Sequence, residues 1–188
     1  MDLGLNNKVV FFYGGNIGHA QDMMNIVRLA QSLSGYPQAH FLLVGQGDEV
    51  KLILDSVSRN SIKNLSYLGP VNQQEYQEML IEFDVGLFSL HRNHKTHNFP
   101  GKLLGYMKYS KPILGSVNLG NDLKSVLMDC EAGFVTINGE DSALTNNALK
   151  LLESVEIRES MGANALALLK STFSVSSAAK KITGIFEN

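Results

Sequence analysis

The sequence predicts an α/β fold built on one parallel, doubly wound, Rossmann-like sheet with helices on both faces. Two observations support this fold class. Short apolar runs rich in β-branched and aromatic residues alternate with segments of helical periodicity along most of the chain. The 188 residues, 44% of them hydrophobic, can bury one sizeable core without requiring a second, so we expect a single domain over residues 1–188.

Six short apolar runs are the predicted strands of this sheet. They cover residues 9–13, 40–44, 65–68, 85–90, 112–114 and 134–137. The first helix, over residues 20–33, has an apolar stripe that we expect to face the sheet, and Asn25 falls off this stripe. Another helix begins where Asn72 and Glu75 have the spacing of a capping box.

After the last predicted strand the chain becomes helical. Helical periodicity covers residues 142–154, 157–171 and 174–186, and we expect these helices to cover the sheet. Gly162 lies inside the second of them, where glycine costs roughly 1 kcal/mol relative to alanine. Its presence there predicts close packing or a break in the helix.

Charge and composition argue against several classes of partner and location. The formal net charge of -2 provides no basic surface for nucleic acid. No apolar stretch reaches the roughly 20 residues that a membrane-spanning helix needs, and residues 1–8 lack the pattern of a signal peptide. The single cysteine, Cys130, has no partner for an internal disulfide and is predicted to be a buried or half-buried, inert thiol. Together these features favour a cytoplasmic protein.

Ligands of doubly wound sheets bind outside the carboxyl ends of the strands, so the segments that follow the strands are candidate site segments. The first strand is followed by Gly14-Gly15-Asn16-Ile17-Gly18. Glycines there allow backbone N–H groups to approach a phosphate, and the helix that follows would add a favourable dipole. Because the spacing differs from G-x-G-x-x-G, a tight turn without a ligand is an equally good interpretation.

Two further segments could bind an anion. Gly45 and Gly47 follow the second strand, although they could serve only the turn. A proline and Gly101 precede Lys102 at the start of the helix over residues 103–109, and proline is favoured in a first helical turn. A lysine at the amino end of a helix opposes the helix dipole unless an anion binds there. Lys102 is therefore the candidate cation for a diphosphate, with a solvated surface lysine as the alternative.

Three histidines before this helix, His91, His94 and His97, must be considered as metal ligands. Their spacing matches no zinc motif and no cysteine or carboxylate lies among them, so we expect no metal there. Contact of a histidine with a sugar hydroxyl or a phosphate is the better interpretation, and we assign it to His97. The sequence has no nucleophile elbow or Walker loop, which leaves hydrolase and P-loop ATPase functions without residues to carry them.

Five segments, in order, resemble the carboxyl-terminal domain of glycosyltransferase family 4. They cover residues 12–18, 43–47, 67–71, 100–107 and 111–114, and they fall at predicted strand ends or in the helix that follows. The resemblance covers nearly the whole chain and is greatest to bacterial sugar transferases of O-antigen and capsule assembly, including those similar to fucosamine transferases. It implies one half of a twin-Rossmann (GT-B) fold, with the acceptor-binding amino-terminal domain absent from this chain.

The resemblance also implies a chemistry. Members of the family retain the anomeric configuration and usually need no metal or other cofactor, because helix dipoles and basic side chains hold the diphosphate of a nucleotide sugar. By position, the catalytic residues would be His97 and Lys102. The residues implied to bind the donor are Gly14, Gly15, Asn16, Gly45, Gly47, Gly69, Gly101, Lys102, Leu103 and Leu104.

Four positions depart from the family pattern. Family members commonly carry two glutamates with seven residues between them, and His97 and Gly105 stand at those positions. The second glutamate usually grips the ribose, so the ribose must be held otherwise here. Asn16 and Gln21 stand where an arginine and a lysine are expected, so the phosphate charge would rest heavily on Lys102.

The sequence therefore predicts the donor-binding half of a retaining, metal-independent glycosyltransferase that is inactive without its other half. The expected donor is a nucleoside-diphosphate sugar, with UDP-sugars favoured, and the expected pathway is surface polysaccharide synthesis. A lipid-linked acceptor would bring the full-length protein to the inner face of the membrane. Two alternatives stay open: a non-catalytic binding or assembly module with the same half-fold, and half of a nucleotide-sugar epimerase.

Overall fold

A computed structural model describes residues 4–94 and 99–173 of the chain. Its strands are β1 (Val9–Asn16), β2 (Ala39–Gln46), β3 (Leu65–Leu68), β4 (Val85–Ser89), β5 (Ile113–Val117) and β6 (Gly133–Ile137). They form one parallel sheet in the order β3-β2-β1-β4-β5-β6. The order reverses between β1 and β4, which is the switch point of a doubly wound sheet. The predicted fold class is confirmed.

Seven α-helices are found in the described residues. They are α1 (Met23–Ser32), α2 (Val50–Arg59), α3 (Gln73–Glu82), α4 (Lys102–Lys108), α5 (Leu123–Asp129), α6 (Asp141–Glu153) and α7 (Val155–Leu168). A short 3-10 turn at His19–Gln21 precedes α1, and a π-helical turn at Leu169–Phe173 continues α7. Within the described part of the chain, no helix is both long and apolar enough to cross a membrane. The helix predicted over residues 174–186 lies outside the described residues.

The helices form one layer on each face of the sheet. On β1, Phe11 and Tyr13 point into a core shared with α1, α2 and α6. Val10 and Phe12 point into a second core shared with α3, α4, α5 and α7. This alternation follows from the two-residue period of a strand, and it explains why β1 reads as a continuous apolar run.

The start of α3 is fixed by its own side chains. The Asn72 side chain accepts a hydrogen bond from the Glu75 N–H at 3.0 Å, and the Glu75 carboxylate accepts one from the Asn72 N–H at 3.1 Å. The predicted capping box is therefore confirmed. It sets the position of Tyr76 in the first turn of α3, directly after the cap.

Gly162 allows α7 to pack closely against the turn after α4. A Cβ placed on Gly162 would lie 1.9 Å from the Ser110 carbonyl oxygen. The helix continues through this position, so the close packing predicted from the glycine is confirmed and the alternative of a break is wrong.

Four sequence predictions need correction. Strands β1 and β2 continue to Asn16 and Gln46, beyond their predicted ends, because the two strands stay in register up to that pair. The first helix begins at Met23, after the 3-10 turn, so the glycine segment does not open it directly. Cys130 is exposed, and Asn25 is buried against the sheet, where its amide donates to the Ser89 hydroxyl at 3.2 Å.

Candidate functional site

The carboxyl ends of β1 and β2 approach each other more closely than side chains would allow. Gly45 has a φ of +143°, and a Cβ placed on it would lie 1.9 Å from the Gly15 carbonyl oxygen. Gly15 also has a positive φ, of +129°. Gly47 packs similarly against the Ile17 carbonyl oxygen, at 2.0 Å from an added Cβ. Glycine is required at these places, and the strand ends are left without side chains over their backbone.

Tyr106 holds β1 and β4 apart at the switch point. The direct pairing of the two strands ends at Phe12 and Gly86. Beyond that point, the fully buried Tyr106 hydroxyl accepts a hydrogen bond from the Gly14 N–H and donates one to the Leu87 carbonyl, both at 3.2 Å. The hydroxyl satisfies backbone groups that the sheet leaves unpaired, so the two strands can separate there, at the place where a doubly wound sheet has its ligand crevice.

Lys102 places its ammonium at the mouth of this crevice. Lys102 and Tyr106 lie four residues apart on α4, so both side chains project from the same helix face. The Lys102 Nζ lies 3.3 Å from the centroid of the Tyr13 ring, and it would lie 3.4 Å from a Cβ placed on Gly15. Among the described residues, no carboxylate lies within ion-pair distance of it.

The electrostatic state of Lys102 suits an incoming anion. Burial lowers the pKa of this ammonium to about 7, because desolvation penalises the charged form. The Tyr13 ring face acts in the opposite direction, since its quadrupole attracts the cation. A cation that is half-buried and has no carboxylate partner gains from any anion that reaches it.

A groove of about 330 Å³ lies along the ends of β1 and β2. Lys102 does not line it, but Gly15 does, and the Lys102 ammonium lies next to Gly15. Its volume falls within the range of small-molecule sites. It is lined by Gly15, Asn16, Val44, Gly45, Gln46, Pro70, Val71 and Tyr76. Gly15, Asn16 and Gly45 were predicted as donor-binding residues, and the structure brings these three together.

Other predicted residues lie around the groove rather than in it. Gly14 packs behind the ring of Tyr76, with an added Cβ 2.4 Å from a ring carbon. Gly69 and Gly101 have open space where a Cβ would be. Gly69 itself does not line the groove, whereas the two residues that follow it do.

The first turn of α4 shows how the backbone N–H groups of Leu103 and Leu104, two of the residues implied to bind the donor, are bonded. The Leu103 N–H donates to the Pro100 carbonyl at 3.0 Å, and the Leu104 N–H donates to the Gly101 carbonyl at 3.2 Å. These two N–H groups are therefore paired within the turn and are not exposed anion donors. His97, the other residue predicted to be catalytic, lies outside the described residues.

Asn16 and Gln21, which stand where the family has an arginine and a lysine, are bonded to each other. The Asn16 side chain donates to the Gln21 side-chain oxygen at 2.9 Å. This pair is neutral and bonded to itself, so it brings no positive charge to the groove. Asn16 and Gln21 therefore supply no cation that could share the phosphate charge with Lys102.

Sequence reasoning does not identify the tyrosines of this site. Helical periodicity places Tyr76 only on an apolar helix face, and Tyr13 and Tyr106 read as ordinary parts of a strand and a helix. The four-residue spacing of Lys102 and Tyr106 is the available signal, because it puts a cation and an aromatic hydroxyl on one helix face at a strand end.

The histidines near the carboxyl edge of the sheet do not form a metal site within the described residues. The His19 and His91 rings lie 4.9 Å apart, and the His19 Nδ1 lies 3.3 Å from the Glu49 Oε1. No group of three or more His, Cys, Asp or Glu side chains in residues 4–94 and 99–173 could hold a metal ion. The absence of a metal from the whole site stays a prediction, because His97 is not among those residues.

A larger groove, of about 690 Å³, lies along α3 and the amino ends of β1 and β4. Four of its lining residues are acidic: Glu75, Glu78, Glu82 and Asp84. Such a rim repels a diphosphate, so charge favours the smaller groove beside Lys102 as the anion site.

Comparison with known proteins identifies the family. Residues 2–167 match the family model of the glycosyl transferases group 1. The chain belongs to this glycosyltransferase family. This glycosyltransferase domain is also 27% identical, over 131 residues, to the probable glycosyltransferase WbjE of Pseudomonas aeruginosa, an alignment that covers 68% of the chain and 32% of WbjE.

Solved structures show the same fold. The glycosyltransferase domain superposes on Anabaena HepE, crystallised with UDP-glucose, with a TM-score of 0.79 and 19% identity over 99% of the chain and 50% of HepE. It superposes on the carboxyl-terminal domain of the group 1 glycosyl transferase LpcC from Francisella tularensis with a TM-score of 0.73 and 14% identity, over 88% of the chain and 87% of that domain. The chain thus spans about a third of WbjE and half of HepE.

Proposed function

We propose that this chain is the donor-binding half of a retaining, metal-independent glycosyltransferase that uses a UDP-sugar. The observation that carries the proposal is the position of the Lys102 ammonium beside the groove at the ends of β1 and β2, with no carboxylate partner among the described residues. A diphosphate is the ligand that best complements such a cation at a switch point. HepE, which has the same fold, was crystallised in complex with UDP-glucose, and this supports a UDP-sugar as the donor here.

In this proposal, Lys102 acts on the leaving group. Negative charge grows on the diphosphate as the glycosidic bond to the sugar breaks, and a cation already in place stabilises that charge without reorganisation. The apolar lining of the groove, from Val44, Pro70 and Val71, suits a nucleobase. The acceptor would bind to an amino-terminal domain outside this chain.

The cellular role follows from the resemblance to O-antigen and capsule transferases. We propose transfer of a hexose or an amino sugar, as in fucosamine transferases, to a glycan or a lipid-linked acceptor in surface polysaccharide synthesis. Nucleotide-sugar donors are cytoplasmic, so the reaction would take place in the cytoplasm. A lipid-linked acceptor would hold the complete enzyme at the inner face of the membrane. The domain alone would have no transferase activity.

Two observations favour a second candidate function. The Asn16–Gln21 pair is neutral, and Gly105 carries no side chain that could grip a ribose. Both features would be tolerated in a binding or assembly module that has kept the half-fold and lost its donor.

Calorimetric titration of the chain with UDP, GDP and UDP-glucose, in the presence of EDTA, separates the two candidates. We expect saturable binding of UDP, and Lys102→Ala should weaken it by roughly 10- to 100-fold, the effect of losing a hydrogen bond to a charged group. Lys108→Ala, on the exposed side of the same helix, is the matched control and should leave the affinity unchanged. Absence of binding by every nucleotide would contradict a donor site and favour the module.

A further inference from the structure

Four tyrosine hydroxyls surround the crevice and the groove, and three of them are used by the fold. The Tyr13 hydroxyl donates to the Asn16 carbonyl, and the Tyr67 hydroxyl donates to the Gly45 carbonyl at 3.0 Å. The Tyr106 hydroxyl bridges two backbone groups, as described above. Within residues 4–94 and 99–173, the Tyr76 hydroxyl has no hydrogen-bond partner. It is the polar group of this tyrosine cluster that is free for a ligand.

Tyr76 is held rigidly although its hydroxyl has no partner. The capping box of α3 fixes the first helical turn, and the Tyr76 ring packs 5.9 Å from the Phe12 ring. Gly14 makes room for it, because a Cβ there would lie 2.6 Å from the Tyr76 hydroxyl oxygen. A side chain at Gly14 would displace the ring. The hydroxyl is therefore positioned by the fold before a ligand binds.

Tyr76 lies between the apolar part of the groove and the Lys102 ammonium. Its ring lines the groove together with the apolar residues that suit a base. Its hydroxyl approaches Gly14, the neighbour of the Gly15 residue above which the Lys102 ammonium lies. In a nucleoside diphosphate, the ribose is the part that joins the base to the phosphates. A donor held at both ends would bring its ribose to Tyr76.

We infer that the Tyr76 hydroxyl donates a hydrogen bond to a ribose hydroxyl of the donor nucleotide and thereby selects ribonucleotides. This inference rests on the proposed function, because it assumes that the groove binds a nucleoside diphosphate. It extends that function by naming a specificity-determining residue on α3 for the sugar of the nucleoside.

The chemistry of Tyr76 suits a donor to a neutral hydroxyl. Desolvation raises the pKa of this phenol, so the group stays protonated at neutral pH and keeps its proton to donate. Gly105 on α4 supplies no such donor to the ribose, and the packing of α4 against α3 explains why no larger residue stands there. A Cβ on Gly105 would lie 3.3 Å from the Leu80 Cδ1, and Leu80 lies one turn after Tyr76 on the same face of α3. A larger residue at position 105 would press on that face.

The test compares UDP, 2′-deoxy-UDP, 3′-deoxy-UDP and inorganic pyrophosphate by calorimetry on the wild-type chain and on Tyr76→Phe. We expect the wild-type chain to bind UDP roughly five- to tenfold more tightly than one of the two deoxy analogues, the effect of one neutral hydrogen bond. Tyr76→Phe should bind UDP as weakly as that analogue. Its affinity for the analogue and for pyrophosphate should equal that of the wild-type chain.

A matched control and three contrary outcomes complete the experiment. Tyr109→Phe removes another half-buried phenol on the same side of the sheet and should leave all four affinities unchanged. The inference is overturned if Tyr76→Phe still distinguishes UDP from both analogues as the wild type does. It is equally overturned if the variant loses the same factor for pyrophosphate, which would assign the hydroxyl to a phosphate. If the wild-type chain binds no UDP, the proposed function itself fails and this inference fails with it.

Discussion

The two halves of the sheet differ in how the polar groups at their carboxyl edges are bonded. Along β4, β5 and β6 the polar side chains are buried and mostly bonded within the fold: Ser116 and Thr136 bond each other at 2.9 Å, and the Asn138 Nδ2 donates to Asp22 and to the Leu90 carbonyl. The Asn138 Oδ1 is the exception, since it is buried and has no partner in the described part of the chain. Along β1 and β2 glycines expose the backbone, and Lys102 and Tyr76 have no polar partner among the described residues.

This difference distinguishes a half of the sheet that supports the fold, the scaffold, from a half whose polar groups are available to a ligand, the site. Buried polar groups that satisfy one another rigidify a fold and have little left to offer a ligand. Polar groups without partners cost stability and are retained where a ligand completes them. We therefore propose ligand binding for the β1–β2 half with α4, and structural support for the β4–β6 half.

The largest expected effect concerns the strand ends of the β1–β2 half. Gly45→Ala should lower the free energy of unfolding by on the order of 3–5 kcal/mol, because the new Cβ meets the Gly15 carbonyl and the positive φ is strained. Urea unfolding measures the change. Gly69→Ala, where a Cβ has open space, is the control and should change it by less than about 0.5 kcal/mol. Equal losses in both variants would show that the close approach at Gly45 is not required.

The next effect is a pH dependence that belongs to Lys102. In the proposed function, UDP binding requires the ammonium, whose pKa in the free protein is lowered to about 7, and UDP phosphates are fully ionised above roughly pH 7. The affinity for UDP should therefore fall by up to roughly fifteenfold between pH 7.0 and 8.5. In Lys102→Met the affinity should be weak and independent of pH over this range. A wild-type affinity that stays constant would contradict a role for the ammonium.

The same pKa shift affects stability in the opposite direction. The folded chain releases the Lys102 proton near pH 7, whereas the unfolded chain keeps it to the ordinary value of 10.5, so between these values the unfolded state binds more protons. Stability should rise with pH in this window, and this contribution should be absent in Lys102→Met. Opposite pH trends of binding and stability would identify a desolvated cation retained for a ligand.

The smallest effect concerns the β4–β6 half. Ser116→Ala breaks the bond to Thr136 and should cost about 1 kcal/mol of unfolding free energy, measured by urea titration. The affinity for UDP should not change, because the pair lies in the scaffold. A loss of affinity larger than the error of the calorimetry would remove the distinction between the two halves.

The sequence was sufficient for the fold because periodicity encodes it. All six strands and the capping box at Asn72 follow from local patterns, and each predicted strand overlaps an observed one. Strand ends were less predictable, because β1 continues through Gly14 and Gly15 only through its register with β2, a tertiary feature. Gly162 was predictable in a different way. Glycine lowers the stability of a helix interior, so its presence there predicted the close contact with Ser110 that the structure shows.

The site was only partly predictable. Gly15, Gly45 and Lys102 could be found because glycines at strand ends and a lysine at a helix start contradict local preferences. Tyr76 could not be found in this way, because a tyrosine on an apolar helix face is ordinary and its value lies in an unpaired hydroxyl. Asn25 was misassigned for a related reason, since its burial depends on a partner, Ser89, 64 residues further along the chain.

The most direct test of the division between site and scaffold is a ¹⁵N–¹H NMR titration of the chain with UDP. We predict saturable shifts at the amides of Gly15, Asn16, Gly45 and Val71, in the β1–β2 half and its neighbouring segment, with little change at Asn118 or Asn138 beyond β5 and β6. Saturable shifts concentrated at Asn118 and Asn138, with Gly15 and Gly45 unaffected, would contradict the account.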